Sequence, residues 1–215
     1  MVNLTEDEVD DLIYFARANE VDDLSSTLAE LVTKAGAEAT PLAVLAAAVD
    51  AGKNTPLHMA AGNGHEQIVK LIVNQIKTAL SKDARQGFLD ATNAFGNTAL
   101  HWAAMNGHLA VVKLLVEEAG ASPALANDKN YVALDLAGLN DKVAVVDYFL
   151  ASAEKAEKEQ EAATASSSKS NGLSEAVSDI DLKGGAADED EEEDVVVLSA
   201  KREGDEIVFD AKKVE

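Results

Sequence analysis

In a chain of 215 residues, 39 acidic side chains outnumber 18 basic ones and leave a formal charge of −21. A balance this acidic repels phosphate backbones, which argues against direct nucleic-acid binding, and it favours a basic protein partner. The absence of cysteine excludes disulfides, thiolate metal sites and cysteine catalysis, and fits a reducing compartment.

The start, MVNLTEDEVDD, is acidic and lacks the apolar stretch of a signal peptide. No later apolar run approaches the length of a membrane span. A soluble, intracellular protein is expected, monomeric when free. Thr5 is placed to cap a first helix, with Glu8 at the reciprocal capping position. Residues 15–31 then share a spacing with a segment further on, Ala16 falling in step with Ala60 and Asn19 with Asn63.

The repeat becomes plain in the middle of the chain. TPLHMAAGNGHEQIVKLIV (55–73) returns 43 residues later as TALHWAAMNGHLAVVKLLV (98–116), and a weaker copy, VALDLAGLNDKVAVVDYFL, spans 132–150. The letters have local reasons. Thr55 and Thr98 cap a helix, and Pro56 sits where an amide has no partner to lose. Paired alanines let neighbouring helices approach closely, and Asn63-Gly64 and Asn106-Gly107 end the helix in a left-handed turn. A second helix follows in each unit, with apolar residues at helical spacing. Residues 34–54 and 74–95 break the period. The latter predicts a helix from Glu66 to about Leu80 and then a longer loop. Insertions in repeat proteins often gather on one binding face; a plain helix extension is the alternative.

After Leu150 the pattern dissolves. Residues 151–215 carry 19 acids and 8 bases with one aromatic, and include the run DEDEEED at 188–194. Burial there cannot offset chain entropy, so a tail over 153–215 is predicted to be disordered when free, and a folded domain to occupy 1–152. The apolar islands 195–198 and 207–209 are candidates to add a strand to a partner's sheet. Ser178, three residues before Asp181, suits an acid-directed kinase.

A period near 33 headed by T-P-L-H resembles the ankyrin repeat over residues 6–150. The resemblance implies an all-α solenoid of about four repeats, each a helix pair joined to the next by a β-hairpin loop. It also implies a concave groove lined by the hairpin tips and the first helices. Carried over position by position, the groove comprises Asn54, Met59 and Asn63 in the second unit and Phe95, Asn97, Trp102, Met105 and Asn106 in the third. The fourth contributes Asp128, Lys129, Tyr131, Leu139 and Asn140. Ala51, Gly52, Gly62, Ala94 and Leu136 are further groove positions, and the first unit offers only Ala18 and Asn19. Phe95, Trp102, Met105 and Tyr131 would form an anchor cluster among the acids Asp50, Asp90 and Asp128. Trp102 has a second reading, as filler between repeats.

The histidines read as scaffold. His58 and His65, and His101 and His108, recur at one spacing across a helix and its turn, with no accompanying cysteine or carboxylate pattern. In the family the first ties hairpin to helix and the second braces the next turn. No nucleophile elbow, phosphate loop or metalloprotease motif is present, so no enzyme, cofactor or metal is expected. In the fourth unit Asp135 takes the histidine position and Asn130 that of the hairpin glycine.

The whole layout resembles the fungal ankyrin-repeat chaperones of small-subunit ribosomal protein S-three. That implies a non-enzymatic chaperone binding one basic ribosomal protein, one to one, keeping it soluble and accompanying it from cytoplasm to nucleus. A regulatory ankyrin adaptor for a non-ribosomal partner remains an alternative. So do a spacer without a client and a tail-driven adaptor, since DEDEEEDVVVLS resembles motifs that bind ubiquitin-like modifiers.

Overall fold

The computed structural model describes residues 2–37, 39–78, 81–167, 196–203 and 206–213. They fall into two units, divided between Ser170 and Asn171.

In the first unit, α1 (Glu6–Ala18) and α2 (Val21–Ala35) form an opening helix pair, followed by α3 (Pro41–Ala47). The helices α4 (Pro56–Asn63) and α5 (Glu66–Thr78) make the second pair, and α6 (Lys82–Leu89) follows. In the third pair, α7 (Ala99–Asn106) packs with α8 (Leu109–Lys113), which continues into a π-helical turn, Leu114–Ala119. The last pair is α9 (Ala133–Leu139) and α10 (Val143–Ser167). The first helices of the pairs, α1, α4, α7 and α9, stack side by side as one layer, and the second helices form the other. Between them lies a continuous core in which Ala60, Ala61, Ala103, Ala104, Ile68, Ile72 and Val112 are wholly enclosed. The alanine pairs permit the close spacing, because a larger side chain would force the layers apart.

Both insertions fold into helices. Thr40 caps α3 through its hydroxyl, and Ser81 caps α6 in the same way. The sequence expectation of a loop after α5 therefore needs correction. The Ser81 cap and the apolar pair Phe88 and Leu89, both buried, give residues 82–89 a helix with a face to bury. Helix α5 ends at Thr78, and Leu80 lies outside the described residues. Helix α10 runs beyond residue 152 to Ser167.

The hairpins follow one design. Their first residues, Asp50, Asn93 and Asn127, accept the backbone amides two and four residues on through one side-chain oxygen. The fourth residue adopts a left-handed backbone: Lys53 (φ 59°), Gly96 (φ 72°) and Asn130 (φ 61°). Gly52 is thus not the left-handed member of its hairpin. Consecutive hairpins are joined edge to edge. Asn93 donates its amide to Asn54 Oδ1 (3.0 Å), and Asn127 donates to Asn97 Oδ1 (2.8 Å).

The ends of this ladder explain their own letters. Asp50 begins it and has no earlier hairpin to donate to, so a carboxylate suffices. Tyr131 closes it and need offer no side-chain acceptor.

In the second unit, β1 (Val196–Glu203) pairs antiparallel with β2 (Glu206–Lys213), Leu198 opposite Ala211 and Lys201 opposite Val208. Of the apolar islands offered to a partner's sheet, 196–198 and 207–209 lie in strands that pair with each other, and Val195 lies outside the described residues. The acidic run and Ser178 lie outside the described residues.

Candidate partner-binding face

Histidines lock the repeats together. His58 Nδ1 accepts from the Thr55 amide (3.2 Å) and meets its hydroxyl (2.9 Å), so Nε2 carries the proton and donates to Asn97 O (3.0 Å) in the next hairpin. His101 repeats this with Thr98 and Tyr131 O (3.1 Å). Burial is the main reason that both imidazoles titrate below the usual histidine range, since the charged form would lose its solvation. His65 and His108 reach the other way, to Arg17 O (2.7 Å) and Gly62 O (3.0 Å) in the preceding repeat. The second histidine thus braces the turn behind it, not the next one. Asp135 faces no further hairpin and instead accepts the Val132 amide (2.9 Å) as a helix cap.

With the scaffold identified, the groove positions separate. Asn54 commits both ends of its side-chain amide to the hairpins, and Asn97 commits its Oδ1. Asn63 and Asn140 are exposed, but each donates to a carbonyl of its own helix, Met59 O and Leu136 O. Asn106 donates across to Gly62 O (2.7 Å). Met59 is buried, with the Arg17 guanidinium 3.3 Å from its sulfur, so it belongs to the core and not to the contact surface. Of the acids, Asp50 is tied up in its own hairpin and Asp90 accepts from Gln86 Nε2. Asp128 is exposed.

What stays available is aromatic and apolar. Phe95, at a hairpin tip, is 67% exposed, and Tyr131 is 38% exposed while its backbone serves the ladder. Trp102 and Met105 are half-buried on α7, and Leu139 is 65% exposed at the end of α9. Asp128 and Lys129 occupy the fourth-unit tip, both exposed. Exposed apolar anchors with flanking charge are the chemistry that macromolecular recognition commonly uses. Among the described residues no group of three histidine, aspartate or glutamate side chains is placed to hold a metal.

Sequence reasoning missed Arg17, which covers Met59 from the first unit, and the ladder residues Asn93 and Asn127. A signal for the latter existed. Asp50, Asn93 and Asn127 each stand five residues before the start of a repeat, at Thr55, Thr98 and Val132.

Helix pairs stacked through shared histidine and asparagine bonds, with side chains exposed at the hairpin tips, define a helical repeat scaffold. Ankyrin repeats in three copies match residues 12–123 and 74–161, and the chain belongs to the ankyrin-repeat family. It is 36% identical over 147 residues to the ankyrin repeat-containing protein YAR1 of Saccharomyces cerevisiae (strain ATCC 204508 / S288c), a match covering 68% of this chain and 70% of that protein. It also resembles a chain in the crystal structure of the yeast ribosomal protein Rps3 in complex with its chaperone Yar1. That match has a TM-score of 0.63 and 35% identity, over 70% of this chain and 95% of the other.

Proposed function

We propose that this chain is a dedicated, non-enzymatic chaperone of its organism's Rps3, the basic small-subunit ribosomal protein, binding it one to one. The observation that carries the reading is the likeness, in sequence and in fold, to Yar1 solved with Rps3. The chain's charge of −21 suits a basic client, and the exposed Phe95 and Tyr131 supply apolar anchors beside Asp128. The client's apolar side rests on these rings, while acidic surface meets its lysines and arginines. Shielded in this way, it stays soluble from cytoplasm to nucleus until it joins the assembling small subunit.

The test is capture of partners from a lysate of the source cells with the tagged full chain, identified by mass spectrometry and followed by reconstitution with purified Rps3. Rps3 is expected as the dominant stoichiometric partner, with affinity falling steeply as salt is raised. A different dominant partner, or an Rps3 complex indifferent to salt and to alanine at Phe95, Trp102 and Tyr131 together, would overturn the proposal.

A further inference from the structure

The two segments that depart from the repeat period face each other. Helix α3 from the first and α6 from the second form the walls of a groove of about 720 Å³. Leu42 and Phe88, both buried, make its floor, and Ala46, Val49, Ala84 and Gly87 are exposed along its sides. Lys53 is the one charged residue lining it. It is exposed and forms no ion pair with any described residue, in a chain where acids outnumber bases twofold.

Gly87 bears on what fills this space. It lies inside α6, where glycine is the least favourable residue after proline. Its backbone is not left-handed, and among the described residues nothing beyond its own helix backbone comes within 4 Å of where a Cβ would stand. Neither conformation nor packing among the described residues calls for glycine there. A foreign backbone lying close along the helix would.

We propose that this groove binds a short apolar segment of a partner protein that carries a carboxylate, the backbone resting over Gly87 and the carboxylate set against Lys53. The charge argument selects the occupant. The lining holds no acid to receive a lysine or arginine, and its single cation forms no ion pair with any described residue. The occupant is therefore chemically opposite to a basic ribosomal client, and the inference does not depend on the chaperone reading.

Two short amphipathic peptides with the same leucine face, one flanked by glutamates and the other by lysines, are titrated against the full chain by fluorescence anisotropy. The glutamate peptide is expected to bind despite the chain's negative charge. Gly87→Leu is expected to weaken it about tenfold without lowering the melting temperature, leucine being the better helix former. Lys53→Asn, which keeps a residue tolerant of the left-handed backbone, is expected to weaken it about threefold. Alanine at Phe95, Trp102 and Tyr131 should leave this peptide unaffected. The proposal is overturned if the glutamate peptide does not bind, if Gly87→Leu leaves its affinity unchanged, or if the lysine peptide is the one that Gly87→Leu displaces. Loss of Rps3 binding with the glutamate peptide still bound would count against the chaperone reading alone.

Discussion

The indole of Trp102 lies across Gly62 of the preceding repeat, so close that a Cβ at Gly62 would stand 2.7 Å from the ring's Cε3. The ring fills the space that the absent Cβ leaves between repeats, and its other side is partly exposed on the proposed partner face. Its Nε1 is enclosed without a hydrogen-bond partner among the described residues, so packing and not polarity holds it in place.

Gly62→Ala is expected to destabilise by about 1–3 kcal/mol, because the new methyl meets a rigid ring and not the end of a flexible chain. Trp102 is the chain's only tryptophan, so its emission reports the displacement directly. Unchanged emission together with unchanged urea stability would show that the ring moves aside freely.

Phe95 and Trp102 should respond differently to truncation. Phe95→Ala is expected to stay within about 0.5 kcal/mol of the parent in stability, since its ring is mostly in solvent. Trp102→Ala is expected to cost about 2–3 kcal/mol by opening a cavity between repeats. Paired urea denaturation and Rps3 binding curves separate an anchor, which loses affinity alone, from core filler, which loses both.

Position in the stack sets the cost at equivalent sites. His101→Ala removes a buried ring that satisfies the Thr98 amide and the Tyr131 carbonyl, and is expected to cost about 2–4 kcal/mol. Asp135→Ala loses only an exposed helix cap, worth about 1 kcal/mol. Equal losses in chemical denaturation would contradict the account of the last repeat as an end unit.

The same logic applies along the hairpins. Asn93→Asp keeps the acceptor for the Phe95 and Asn97 amides but removes the donor to Asn54, and should cost about 1 kcal/mol or more. Asp50→Asn, at the start of the ladder, keeps the Oδ1 acceptor and gives up only the Oδ2 contact to Asn54 Nδ2, so it should cost less. The reverse order in melting temperature would refute the ladder.

Stability should fall on the acid side of neutrality. His58 and His101 have native pKa values below their unfolded value near 6.5, so between the two the unfolded chain binds more protons. Above about pH 6.5 neither state binds the proton and these residues confer no pH dependence. Below it each contributes a loss of up to about 1.4 kcal/mol per pH unit until its native pKa is reached. Denaturation midpoints at pH 7.5 and 5.5 check this, and the His101→Ala background should show a shallower slope.

The repeat architecture was legible because each unit must solve the same local problems. A threonine–histidine pair at the helix start, where the Thr55 and Thr98 hydroxyls meet a histidine ring and do not cap a backbone amide, a left-handed exit at Gly64 and Gly107, and small residues between layers are needed wherever the unit recurs. Much of the candidate site was less legible. Met59 aligns with Trp102, yet one is buried beneath Arg17 and the other half-exposed. The difference comes from the neighbouring unit: Arg17 lies 42 residues from Met59 in sequence, and Gly62 opens the space for Trp102.

By itself, then, the sequence determined the repeat, its acidity and the local turn and helix-start chemistry of each unit, because these rest on composition and on bonds a few residues long. Only the tertiary structure decided which asparagines join hairpins, which groove residues stay exposed, and that the two insertions close on one another as the walls of a groove. Those outcomes depend on side chains some 30 to 50 residues apart meeting across repeat boundaries, a geometry no single repeat encodes.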